Sequence, residues 1–222
     1  MTRDTRLGLL FFLVAVAGVP ITGAGVVVLS GSRGPAPLRG VIDHVHELLE
    51  GRGLENVERH AVLLRTAATE HGLSPHLLGG IMFAESRGRS GQVSSAGALG
   101  LMQLVPGAAR DAARRIELEL PQDDETLRDL LLHDDQLNVR LGAVHLKWLL
   151  DHRGEWDLEA VLVSYNAGRA KLFRWIERHG TYADWVQSEE RARARGDKTT
   201  GSLAYARQVL RARDELRDRG AI

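Results

Sequence analysis

The sequence predicts a mainly α-helical protein. Two observations carry this. Apolar residues recur every three or four positions through segment after segment, each bounded by helix caps or glycine stops. No run alternates apolar and polar residues for long enough to make a strand, and no internal repeat is visible.

The first segment stands apart. Leu7 to Leu29 is 23 residues without a charge. As a helix it would span roughly 34 Å, enough for a bilayer core. Residues 1–30 are therefore expected to be a transmembrane anchor, with the N-terminus in the cytoplasm behind Arg3 and Arg6 and the remainder exported. The alternative is a cleaved signal helix, with Ser30-Gly31-Ser32 as its small-residue cleavage site. Signal cores are shorter, usually about 7–15 residues, although Pro20, Gly18, Gly23 and Gly25 would shorten this one.

Gly31 to Pro37 reads as a linker. Val41, Ile42, Val45, Leu48 and Leu49 read as an amphipathic helix ended by Gly51 and Gly53. Residues 31–56 thus join the first segment to a main domain over 57–219. In that domain Val57 to His71 is a helix stopped by Gly72. Ser74-Pro75 supplies an N-cap and a first-turn proline for a helix through Leu77, Leu78, Ile81, Met82 and Glu85. Arg87 to Leu99 is rich in glycine and serine and reads as loop. Pro106 opens a helix toward Ile116, Asp134 caps one from Asp135 to His152, and Asp157 caps one from Leu158 to Ala167. Ala170 to Arg178 and Leu203 to Arg217 complete the set.

Composition narrows the function. A chain of 222 residues, 44% hydrophobic and 26% charged, is folded rather than disordered and suits one domain with a small appendage. With 29 basic and 29 acidic residues it lacks the cationic excess that nucleic-acid binding needs. The absence of cysteine excludes disulfides, thiolate metal sites and cysteine nucleophiles. There is no phosphate loop, no Gly-x-Ser-x-Gly elbow and no His-Glu-x-x-His pair. His44 and His46, two apart, fall on different faces of a helix. Neither a metal nor a cofactor is expected.

Chemistry concentrates in three strings. Glu85 ends an apolar helix beside Ile81, Met82, Phe83 and Ala84. Burial there and the negative end of the helix dipole both favour its protonated form, which suits a general acid. An ordinary solvated helix-end Glu is the plain alternative. The second string runs from Ala96 to Pro106, where small residues allow close backbone approach and Gln103 is the one polar side chain. An amide both donates and accepts, as sugar hydroxyls and N-acetyl groups do; a tight core-packing turn is the alternative. The third, Ser164-Tyr165-Asn166-Ala167-Gly168, ends a helix with an aromatic hydroxyl and an amide, or simply with a cap.

In this order the strings resemble the catalytic domain of soluble-lytic-transglycosylase-type (SLT) enzymes, relatives of goose-type lysozyme, over roughly Val57 to Arg217. The matching positions are Glu85-Ser86, then Ser94, then Gly100-Leu101-Met102-Gln103, then Tyr165-Asn166-Ala167-Gly168, and last Tyr205 on the final helix. Two departures stand out. Arg89-Ser90 replaces the family's Asn-Pro or Asp-Pro, and Gly201-Ser202 replaces its Glu-Thr before the last Tyr.

The resemblance implies a lysozyme-like helical domain acting on peptidoglycan glycan strands. It implies non-hydrolytic cleavage of the MurNAc-β-1,4-GlcNAc bond, leaving a 1,6-anhydro-MurNAc end, with Glu85 as the catalytic acid and base. Ser94 and Tyr205 would orient Glu85 or the N-acetyl group, while Gly100, Leu101, Met102, Gln103, Tyr165 and Asn166 would line the groove. Ordinary glycosidases need two carboxylates, whereas from Ser86 to Ile116 the only acidic residue is Asp111. The rivals are a hydrolytic muramidase on the same fold and a catalytically silent wall-binding scaffold. The expected place is the bacterial envelope, anchored in the inner membrane with a periplasmic catalytic domain, or secreted after signal cleavage. Wall-synthesis or secretion machinery is a candidate partner; nucleic acid is not.

Overall fold

The computed structural model describes residues 50–222. The anchor or signal segment over 1–30, the linker from Gly31 to Pro37 and most of the amphipathic helix therefore lie outside the described residues. Among the described residues no helix is long and apolar enough to cross a membrane.

The described chain is helical, with no strand and only two isolated bridges, Val93 with Leu99 and Leu99 with Leu104. In order the helices are α1 (50–59), α2 (Ala61–His71), α3 (Pro75–Ser86), α4 (Pro106–Arg115), α5 (Asp124–His133), α6 (Asp135–Asp151), α7 (Leu158–Ala167), α8 (Arg169–His179), α9 (Tyr182–Arg195) and α10 (Ser202–Arg219).

Several caps are those the sequence predicts. Ser74 Oγ accepts from Leu77 N–H at 3.3 Å, Asp134 from Leu137 N–H at 2.9 Å, and Asp157 from Ala160 N–H at 2.8 Å. Gly72 takes the left-handed conformation (φ 65°) that closes α2.

Other elements correct the expectation. Gly51 and Gly53 do not end a helix but lie within α1. A Cβ on Gly53 would lie 2.8 Å from the Phe83 ring, so glycine here serves close packing on α3 rather than termination. α1 also crosses the expected boundary between 56 and 57. The expected helix from Val57 to His71 is broken at His60, which caps α2 with a non-helical backbone. Two helices were not anticipated. α5 carries legible signals, an Asp123 cap and Leu127 with Leu131 one turn apart in the core. α9 buries only Trp185, too thin an apolar stripe to announce itself.

α3 is the axis of the core. Leu77 through Phe83 are all buried, so it is covered on every side. Its closest neighbour is α10. A Cβ on Gly80 would lie 2.5 Å from the Val209 carbonyl oxygen, and one on Gly79 would lie 2.8 Å from Leu216 Cδ1. This pair of glycines lets α10 run antiparallel to α3 at backbone contact. α10 also packs on α7, while α2 packs on α3 and α6.

Candidate active site

Glu85 occupies the last turn of α3, where the helix emerges from the core. Its neighbour Ser86 is buried and returns its hydroxyl to the Met82 carbonyl at 3.1 Å. The helix stops at Arg87, left-handed at φ 55°. The chain beyond is clamped by α1 and its end: Asn56 Nδ2 donates to the Arg87 carbonyl at 3.2 Å, and His60 Nε2 lies 3.1 Å from the Gly88 carbonyl. A Cβ on Gly88 would lie 2.5 Å from Val57 N. Asn56 and His60 were not anticipated as supports of Glu85, because nothing local in the sequence pairs them with residues 87 and 88.

The Tyr205 hydroxyl donates to Glu85 Oε1 at 2.7 Å. Burial raises the Glu85 carboxyl to about 7, and the Tyr205 hydrogen bond opposes that rise. Tyr165 and Tyr205 are themselves pushed well above the usual phenol range, first by burial and then by the Glu85 charge. Both phenols are therefore neutral donors beside a carboxyl that is protonated about half the time near neutral pH. The Tyr165 hydroxyl lies 3.4 Å from the Met102 carbonyl, which places it against the second string.

α7 and α10 meet at the third string. Asn166 is exposed at the end of α7 and accepts from the buried Ser202 hydroxyl at 2.8 Å. Ser202, one of the departures from the family pattern, thus sets the start of α10 against α7. One turn further along, Arg207 donates to Glu159 on α7 at 3.1 Å and to Glu190 on α9 at 2.7 Å. These contacts fix the register that puts Tyr205 over Glu85.

The loop from 92 to 104 folds on itself. Leu99 and Leu104 exchange backbone hydrogen bonds at 3.0 Å, and Ser94 Oγ accepts from Ala98 N–H at 3.0 Å. Gln103 has φ 48°, and its amide donates to the Gly100 carbonyl at 2.9 Å and the Gln92 carbonyl at 3.2 Å. The Ser94 hydroxyl oxygen and the Gln103 amide nitrogen are thereby used in shaping the loop.

Leu101 and Met102 correct the expectation of groove-lining side chains. Both are wholly buried, and a Cβ on Gly142 would lie 2.8 Å from Met102. Four apolar residues (Leu99, Leu101, Met102 and Leu104) plug the loop into the core, and it is the Met102 carbonyl that meets the Tyr165 hydroxyl.

Asn138 on α6 was also not anticipated. It is wholly buried, donates to the Leu99 and Leu131 carbonyls at 2.9 Å each, and accepts from Met102 N–H at 2.8 Å. A Cβ on Gly100 would lie 2.4 Å from its amide nitrogen, which explains the glycine, whose φ is 73°. In the sequence Asn138 stands between Leu137 and Val139, a polar side chain between apolar neighbours. Among the described residues no three His, Asp or Glu side chains gather closely enough to hold a metal ion.

The chain matches the family model of the transglycosylase SLT domain over residues 63–188. It is 30% identical over 102 residues to a transglycosylase of Enterobacteria phage PRD1, a match covering 46% of this chain and 32% of that protein. It is 33% identical over 118 residues to membrane-bound lytic murein transglycosylase C of Actinobacillus pleuropneumoniae serotype 5b, covering 50% of this chain and 31% of that protein. The match thus spans about a third of the length of these curated relatives. An inactive mutant of the lytic transglycosylase Slt from Pseudomonas aeruginosa superposes with a TM-score of 0.58 at 25% identity, over 72% of this chain and 24% of that one. The 70 kDa soluble lytic transglycosylase of Escherichia coli shares the fold, with a TM-score of 0.56 at 19% identity over 70% of this chain and 24% of its own.

Proposed function

The chain belongs to the transglycosylase SLT-domain family, and from that premise we propose that it is a peptidoglycan lytic transglycosylase, a carbon–oxygen lyase acting on the MurNAc-β-1,4-GlcNAc bond. The observation that carries this reading is Glu85, raised to about 7 by burial while bonded to Tyr205. A carboxyl so placed can give and take one proton at neutral pH.

In the reaction Glu85 protonates the glycosidic oxygen as the bond to the MurNAc anomeric carbon breaks. The sugar's own N-acetyl oxygen stabilises the cationic centre. Glu85, now a carboxylate, takes the proton of the C6 hydroxyl, whose oxygen closes the 1,6-anhydro ring. The proton balance returns to its start and no external water is consumed. One carboxyl suffices because the second nucleophile is intramolecular and has a high effective molarity.

Tyr205 holds Glu85 in place, and Tyr165, Asn166 and the backbone around Gly100 to Gln103 contact the glycan. Ser94 and Gln103 serve by holding that loop. From Ser86 to Ile116 the only acidic residue is Asp111 on the following helix, so the string region offers Glu85 no second carboxylate of the kind a two-carboxylate hydrolase uses. A silent scaffold would have no use for a carboxyl that burial holds protonated.

Residues 1–30 would hold the enzyme at the inner membrane of the cell envelope, near wall-synthesis or secretion machinery; the alternative is release to the periplasm after cleavage. Cell fractionation with intact-mass measurement separates these, since a soluble species beginning near Arg33 would refute the anchor. The reaction is tested by mass spectrometry of muropeptides released from purified sacculi. Anhydro ends are expected from the unsubstituted chain and at least 10²-fold fewer, as an order of magnitude, from Glu85→Gln. Reducing ends would make the enzyme a hydrolytic muramidase instead.

A further inference from the structure

The chain leaving Glu85 is held from α1 as far as Gly88, and the next hold comes from α6. The Ser90 hydroxyl donates to Asp135 Oδ2 at 2.5 Å. Ser90 stands where the family pattern has proline. Proline fixes its own φ, whereas a serine is restrained only by what it touches. This stretch needs restraint, because Arg87, Gly88 and Gly91 all have left-handed backbone, with φ of 55°, 65° and 68°. A non-glycine such as Arg87 keeps that conformation only when its surroundings impose it.

Asp135 is available for the bond. It is the first residue of α6, yet the cap of that helix is Asp134, which accepts from Leu137 N–H at 2.9 Å. The helix dipole favours a carboxylate in the first turn, and that is the plain reason for an acid here. The dipole does not account for the bond to Ser90, and a hydrogen bond to an anion is stronger than one between neutral groups.

Asn138 lies three residues on, along the same face of α6. It holds the far end of the loop, donating to the Leu99 carbonyl at 2.9 Å and accepting from Met102 N–H at 2.8 Å. Between the two ends, the Gln92 carbonyl accepts from Gly100 N–H at 2.9 Å and from the Gln103 amide at 3.2 Å. One turn of α6 therefore grips the loop at both ends, and that loop carries the Met102 carbonyl, 3.4 Å from the Tyr165 hydroxyl. We infer that Asp135 is a positioning residue of the active site: through Ser90, and together with Asn138, it sets the loop from 90 to 102 on α6, and with it the chain leaving Glu85 and the Met102 carbonyl at Tyr165. The inference rests on the lytic transglycosylase reading for the reaction it serves.

The test uses the full-length protein, with turnover of soluble glycan and amide hydrogen exchange as separate readouts. Asp135→Ala and Ser90→Ala should each lower kcat about threefold to tenfold. The double variant should lose no more than either alone, because all three remove the same bond. Asp135→Asn keeps an acceptor oxygen and should stay within about twofold of the unsubstituted chain. Exchange over residues 92–104 should quicken in Asp135→Ala while that of α10 is unchanged, which also reports that the fold is intact. Additive losses in the double variant, or a loss in Asp135→Asn equal to that in Asp135→Ala, overturn the clamp. Exchange needs no reaction, so the two readings separate. Faster loop exchange in Asp135→Ala, with no anhydro product from the unsubstituted chain, would leave the clamp standing and remove the lyase reading. Anhydro product from Asp135→Ala at the unsubstituted rate, with loop exchange unchanged, would do the reverse.

Discussion

Tyr205 and Glu85 lie 120 residues apart in the chain, and the Tyr205 hydroxyl meets Glu85 Oε1 at 2.7 Å. The contact follows from the way α10 lies on α3. Gly79 and Gly80 bring the two backbones together, Ser202 and Arg207 set the register, and Tyr205 then falls opposite the last turn of α3. A phenol that stays neutral beside a buried carboxyl steadies it without adding charge.

Glu85→Gln should stabilise the fold at alkaline pH and leave it unchanged at acid pH. Burial raises the folded carboxyl from its ordinary 4.5 to about 7. The folded chain therefore holds a proton that the unfolded chain has released across that window. Wild-type stability is highest below the unfolded pKa and falls as pH rises to about 7. Gln mimics the protonated acid and does not suffer that loss. A gain of up to about 3 kcal/mol is expected at pH 8 and roughly none at pH 4. Urea unfolding at the two pH values checks this; a gap independent of pH would refute the raised pKa.

Tyr205→Phe removes the hydrogen bond that restrains the rise in the Glu85 pKa. The alkaline limb of kcat/KM, which reports loss of the protonated acid, should move to higher pH. The rate at the optimum should fall about tenfold as the carboxyl loses its orientation. An unshifted limb would show that Tyr205 only fills space.

Gly80→Ala would place a Cβ 2.5 Å from the Val209 carbonyl oxygen. Backbone cannot rotate aside as a side chain can, so α10 must move. A cost of about 1–3 kcal/mol is expected, together with a loss of activity larger than that of a neutral surface substitution. Thermal unfolding and turnover of the same preparation decide it; unchanged values in both would mean the helices are not in contact there.

Gln103→Ala should lower stability by about 1–2 kcal/mol, because both loop carbonyls lose their donor. Binding of soluble glycan by the folded variant should change little. Weakened glycan binding at unchanged stability would return Gln103 to the substrate groove.

Much of this protein was determined by sequence alone. The helices α3, α4, α6, α7 and α10 were legible because each carries a local signal, a cap, a first-turn proline or an apolar stripe, and such signals act within one or two turns. Glu85 is legible as a partly buried helix-end acid for the same reason, with Ile81 through Ala84 beside it. The order of the three strings points to the SLT-domain family, which the family match over residues 63–188 bears out.

Which side chains of those strings are buried or hydrogen-bonded within the fold depends on tertiary packing. Met102 and Gln103 read as ligand contacts in the linear pattern, yet one fills the core against Gly142 and the other spends its amide on the loop. Asn138, Ser202, Asn56 and His60 act through partners 28 to 39 residues away. Glycines at 53, 79, 80, 88 and 100 are explained by the atoms that a Cβ would strike. The physical reason is common to all of these. Periodicity and capping are properties of a short stretch of backbone. Burial, hydrogen-bond satisfaction and the pKa of Glu85 depend on what packs around a residue, and those neighbours come from α1, α6 and α10, which only the folded chain brings together.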